Sequence, residues 1–373
     1  MMATPTLEDI TELADRRSIA SVMISMPTSP VASEVERLRL DYKNSVREAE
    51  RQLEAAGVGT DARAAVRRNL DDVVEGDFWT HLAQGAVVFA SPEFAREFRV
   101  RTTVPPRVCV GERFDVGPLL RSLTLARKGY AVAVTEGSAR LVAISADVAA
   151  SEVTLGLPDD IHSVLQHSEN DGDADRTRAR GATGDKIELR KYCRIVQDAV
   201  AEAIKGREAP VVLAAANDVA AAYREANTYP RLLEEGLDIN PSSLTLEELD
   251  AAARAVLARD NDRQLAEWRE TFGTRLNHGR ASVKLNEIAR AASAGAVEEM
   301  LFDVGDDSEG FISEEGTVTP APSAGGTTVG LFDEIAIRVL RTGGRVRAVR
   351  KSELPGKTGI AALLRFEVPR GQE

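Results

Sequence analysis

GRASVKLNEIARAASAGAVEEMLF, residues 279–302, decides how the last part of the chain folds. Lys284–Ala294 sets apolar residues at helical spacing, Gly295 closes the helix, and Ala296-Val297-Glu298-Glu299-Met300-Leu301-Phe302-Asp303-Val304 gives a short turn into a buried strand. The alternation repeats downstream. A helix is expected at Leu331–Arg341, a stop at Gly343-Gly344, a strand at Arg345–Val349, a turn at Pro355-Gly356-Lys357 and a final strand at Ile360–Val368. Helix and strand in alternation predict a compact α/β/α sandwich. Gly305–Gly326, rich in Gly, Ser and Glu, is expected to be a flexible loop within it.

Upstream, Asn240-Pro241-Ser242-Ser243 opens a long helix, with Thr245 as the capping residue ahead of Glu247 and Glu248. It runs through Trp268 towards Phe272 and connects the second and third units. Pro210–Ala216 reads as a central strand buried on both faces. Gly129–Thr135 and Ser138–Ser145 are strands joined by a Glu136-Gly137 hairpin, and Glu152–Leu157 extends their sheet. The first unit combines a helix at Thr6–Asp15, a strand at Ser21–Ser25 and two charged amphipathic helices at Glu34–Ala56 and Thr60–Val74. Strand-like runs follow at Gly85–Ala90, Glu97–Thr103 and Arg107–Val110. Trp79 and His81 read as packing and surface groups, because no second ligand lies at a useful spacing. Three α/β domains are expected, at 1–125, 126–274 and 275–373.

The stretch with functional character is DRTRARGATGDKIELRKYCRIVQDAVAEAIKG, residues 175–206. Arg176, Arg178 and Arg180 form a basic loop that runs through Gly181-Ala182-Thr183-Gly184 to Asp185. An amphipathic helix follows, with Tyr192, Ile195, Val196, Ala199 and Ala203 as its apolar positions. Lys186, Arg190 and Arg194 recur every four residues on one side, continuous with the loop. Like-charged arginines gathered in this way face either solvent or a polyanion. The candidate RNA-binding residues are Arg176, Arg178, Arg180, Gly181, Gly184, Lys186, Arg190 and Lys191. An acidic run containing Asp159, Asp160, Glu169, Asp171, Asp173 and Asp175 delivers the chain to this loop and reads as a mobile connection.

The whole chain of 373 residues carries a formal net charge of −12, which repels phosphate at long range, so any RNA contact is local. Cys109 and Cys193 lie in apolar patterns without CxxC or metal-ligand spacing, which fits a reduced, cytoplasmic setting. There is no run of about 18 apolar residues that could span a membrane. The first residues lack the basic start and apolar core of a signal peptide. His162, His167 and His278 have no partner at a catalytic or metal-binding spacing and read as surface or capping groups. No catalytic residue, metal or cofactor is expected.

GRASVKLNEIARAASAGAVEEMLF at 279–302, LFDEIAIRVLRTGGRVRAV at 331–349 and GIAALLRFEV at 359–368 together resemble the C-terminal domain of the archaeo-eukaryotic peptide-chain release factor and Pelota family. The VERLRLDYKNSVREAERQL helix resembles the N-terminal domain of that family's bacterial branch. The resemblance implies a ribonuclease H-like middle domain and a C-terminal α/β/α sandwich similar to the ribosomal L7Ae fold. It also implies that the loop Arg176–Asp185 faces the tRNA acceptor end or 23S rRNA.

Classical members carry Gly-Gly-Gln at the loop tip to position water on the peptidyl ester. Here the tip reads Gly181-Ala182-Thr183-Gly184-Asp185, while Gln166 and Gln197 lie elsewhere. The resemblance therefore implies a factor that occupies the ribosomal A site without ester hydrolysis, as Pelota-like rescue factors and Balon-type hibernation factors do. The ribosome, with a translational GTPase, is the implied partner. The alternatives are a peptidyl-tRNA hydrolase with a divergent loop, a nuclease and a stress-response adaptor. A nuclease needs acidic residues converging on strands to hold two metals, and Gly129–Thr135, Ser138–Ser145 and Pro210–Ala216 carry none.

Overall fold

Thr6 opens the first helix, α1 (Leu7–Asp15), with a reciprocal cap. Its hydroxyl accepts from the Asp9 N–H, and the Asp9 carboxylate accepts from the Thr6 N–H. The computed structural model describes residues 5–29, 31–75, 78–80, 82–100, 102–124, 129–145, 148–157, 182–205, 209–306, 308–321 and 329–367. The chain forms two compact units, one of residues 1–126 together with 265–373 and one of residues 127–264.

In the first unit, β1 (Ser21–Pro27), β2 (Gly85–Ser91), β3 (Phe94–Val100) and β4 (Arg107–Gly111) form an antiparallel sheet in the order β3-β2-β1-β4. β2 is buried along its whole length because helices cover both of its faces. On one face, Leu38, Tyr42, Val46, Ala49 and Leu53 of α2 (Val35–Ala55) and Val66 and Leu70 of α3 (Thr60–Asp72) pack on Val22, Ile24 and Val88. Trp79 belongs to this core, edge-on to Phe78 and Tyr42, as its packing role requires. On the other face, Met23, Val87, Phe89 and Phe98 meet α1 and α4 (Gly117–Thr124).

That same core takes in α8 (Leu285–Ser293) and α9 (Leu331–Arg341) from the C-terminal segment. Behind them lies a mixed sheet of β9 (Ala281–Ser282), β10 (Val297–Asp303), β14 (Arg345–Val349) and β15 (Ile360–Leu364), in the order β14-β10-β15-β9. β10 runs parallel to β14 and antiparallel to β15. Gly295, at φ +68°, supplies the left-handed turn between α8 and β10 that its place in the sequence calls for. Leu265, Trp268 and Phe272 of α7 (Leu246–Leu276) cover the far face against Leu301, Val349, Ala361 and Leu363. The α/β/α sandwich is therefore present. Residues 1–126 and 265–373 share one core because α1 and α4 present their apolar faces to α8 and α9.

The stretch expected as a flexible loop, Gly305–Gly326, holds strands. β11 (Glu309–Ile312) pairs with β12 (Val318–Pro320) and β13 (Val329–Gly330) in the order β12-β11-β13. Phe311, Ile312, Val318 and Thr319 are strand formers that outweigh the glycines around them.

In the second unit, β5 (Gly129–Val134), β6 (Ala139–Ser145), β7 (Val148–Val153) and β8 (Val211–Ala214) are ordered β7-β6-β5-β8. The first three are antiparallel and β8 is parallel to β5. One face packs on α5 (Ala182–Ala203) and α6 (Asn217–Ala226), the other on Leu249, Ala253, Val256 and Leu257 of α7. The third strand lies earlier than expected, at 148–153 rather than 152–157. β8 is not central: it ends the strand order. Its outer edge bonds instead to 231–237, with Leu233 N–H donating to Val211 O at 2.9 Å and Leu237 N–H to Leu213 O at 2.8 Å. Burial on both faces and along this edge accounts for its unbroken apolar sequence.

Candidate nucleic-acid interface

Helix α5 starts at Ala182, so the basic loop does not extend to Asp185 as expected. Gly184 falls in the first turn of this 22-residue helix, outside the interior where glycine is most costly. Arg176, Arg178, Arg180 and Gly181 lie outside the described residues, and Gly184 and Lys186 are described by their backbone within α5. Arg190, Lys191 and Arg194 are exposed on the same helix.

The opposite side of α5 fixes their direction. Tyr192, Cys193, Val196 and Val200 are buried against Tyr130, Val132, Leu141, Val219 and Tyr223. Burial pushes the Cys193 thiol up to about 11, which keeps it protonated and inert. With the apolar face anchored, the cations can only point outward. Arg190 Nε lies 2.9 Å from Glu225 Oε2 on α6, with both side chains more than half exposed. Lys186, Arg190 and Arg194 occupy successive turns of one continuous helix.

A second charged feature, in the other unit, lies beyond the sequence expectations. A cavity of about 450 Å³ lies between residues of the N-terminal and C-terminal segments, with Arg107, Cys109, Asp115, Glu309 and Asp333 in its wall. Arg107 Nε donates to Cys109 Sγ at 2.9 Å and lies 3.4 Å from Asp115 Oδ2, while its Nη2 reaches Glu309. Arg121 forks onto Asp333 at 3.2 and 3.0 Å, and Arg113 faces Glu334 at 3.6 Å. Three arginines of the N-terminal segment thus meet three carboxylates of the C-terminal segment.

Burial pushes the Asp333 carboxyl up to about 6, outweighing the attraction of Arg121. Burial, reinforced by Asp115, pushes the Cys109 thiol up to about 12. These groups satisfy one another, and their effect is to join two distant segments. The available signal was Asp333-Glu334 set among Leu331, Phe332, Ile335 and Ala336 in a helix too apolar to expose them.

Among the described residues, no group of three or more His, Cys, Asp or Glu could hold a metal, and no helix is long and apolar enough to cross a membrane. His278 is exposed, in keeping with a surface role. His81, His162, His167 and the acidic run from Asp159 lie outside the described residues.

Residues 126–263 match the family described as bacterial archaeo-eukaryotic release factor family 11. No curated protein matches. Among solved structures, the archaeal translation termination factor aRF1 is similar at 16% identity over 97% of this chain and 99% of its own, with a TM-score of 0.26. Archaeal Pelota, from a ribosome-bound assembly with ABCE1, is 15% identical over 74% and 72%, at 0.40. Pelota of Archaeoglobus fulgidus is 14% identical over 98% and 94%, at 0.29.

Proposed function

We propose that this protein is a ribosome-associated, Pelota-like factor that acts by occupying the A site, in rescue or hibernation, without hydrolysing an ester. The observation that carries the reading is the basic helix α5 inside the segment that matches the release-factor family. The buried face of α5 holds Arg190, Lys191 and Arg194 outward on an otherwise acidic protein, so phosphate contact is local and positioned. The sequence Arg176 to Asp185, which runs into the first turn of α5, carries cations and glycines but no glutamine, which leaves it suited to contact 23S rRNA or the tRNA acceptor end rather than to position water. A translational GTPase is the partner in keeping with this family.

The test is sedimentation with empty, stalled and stationary-phase ribosomes across a salt series. Binding that weakens steadily with salt is expected. Absence from all three pellets at low salt overturns the reading. Replacing Arg176, Arg178 and Arg180 together with Ala should reduce binding while leaving the circular dichroism spectrum unchanged.

A further inference from the structure

Glu225 stands where no requirement of its own helix places it. It lies in the last turn of α6, the end at which the helix dipole favours cations and disfavours a carboxylate. Packing between α5 and α6 does not depend on it, since Tyr192, Cys193 and Val196 meet Val219, Ala222 and Tyr223 in a continuous apolar core. Its carboxylate is turned to Arg190, with Oε2 2.9 Å from Nε, and both side chains are more than half exposed. The adjacent cation, Arg224, is committed elsewhere, with Nη1 donating to Leu233 O and Nη2 to Glu234 O, both at 2.9 Å. An exposed pair of this kind is weak and screened, so a phosphate can replace the carboxylate at little cost.

We propose that Glu225 is a placeholder for an RNA phosphate, holding the Arg190 guanidinium in position in the free protein and competing with the backbone of bound RNA. This rests on the ribosome-binding reading and names a residue that sets the affinity of that site. In the free state Glu225 orients one cation of the row Lys186, Arg190, Arg194. On binding, Arg190 passes to a phosphate oxygen and Glu225 returns to solvent. No bond is made or broken other than this exchange of ion partners.

The experiment is a double-mutant cycle on binding to whole ribosomes at fixed salt, with the full chain. Glu225→Gln should bind about two- to fivefold tighter than wild type, the range an exposed pair can account for. Arg190→Gln should bind more weakly and lower the salt slope by roughly 0.7–0.9, one phosphate's worth. In the Arg190→Gln background, Glu225→Gln should have no further effect. Glu225→Ala should repeat the result, and circular dichroism should show each variant folded.

If Glu225→Gln leaves affinity unchanged, or tightens binding equally in both backgrounds, the proposal is overturned. The second result would reveal only a general gain from removing negative charge. If wild type itself does not bind ribosomes, the underlying reading fails and this proposal falls with it.

Discussion

Asp333 is 6% exposed, held by the Arg121 fork, and titrates at about 6 rather than 3.8. A raised carboxyl pKa means that the fold prefers the protonated form. The contribution of this residue to stability is therefore full below about pH 4 and is lost as pH rises through about 6. Thermal denaturation at a series of pH values should show wild type losing stability across that window relative to Asp333→Asn. Asp333→Ala should destabilise by about 3 kcal/mol, because Arg121 keeps its charge but loses its fork. Gly117 belongs to the same site, since a Cβ there would lie 2.4 Å from Asp333 Oδ2. Gly117→Ala should cost about 1–3 kcal/mol by overpacking, read as a lowered denaturant midpoint at constant slope.

Elements whose reasons are local were legible in the sequence. Helix α7 opens as Thr245 demands: the Glu248 N–H donates to its hydroxyl at 3.2 Å and the Thr245 N–H donates to Glu248 Oε2 at 2.9 Å. Thr245→Ala should cost about 1 kcal/mol in chemical denaturation. α9 and β14 fall on the residues expected, Leu331–Arg341 and Arg345–Val349, because helix period, glycine stop and apolar strand agree there. Elements whose reasons are distant were misplaced. Nothing within Pro210–Ala216 tells that its far neighbour is the irregular segment 231–237 and not a strand. β11 and β12 hid in a Gly-rich stretch because their pairing, not their composition, makes them strands. On the candidate interface, the apolar spacing of Tyr192 and Val196 gave the orientation of α5. The partner of Arg190, some 35 residues later on α6, has no local signal.

The same contrast governs the molecule as a whole. The charged seam and the shared core around α1, α4, α8 and α9 tie residues 1–126 to 265–373, although the second unit separates them in sequence. Scanning calorimetry should accordingly resolve residues 1–126 and 265–373 unfolding in one cooperative transition, with 127–264 as the other. A chain lacking 1–126 should expose Phe332 and Ile335 and bind hydrophobic dyes. Placement on the ribosome is where the functional account stands or falls. A cryo-EM reconstruction of the protein mixed with ribosomes from starved cells should show density in the A site, with residues 175–206 beside the tRNA acceptor end or 23S rRNA. Density that places α5 away from RNA, or ribosomes with an empty A site at saturating protein, would contradict it.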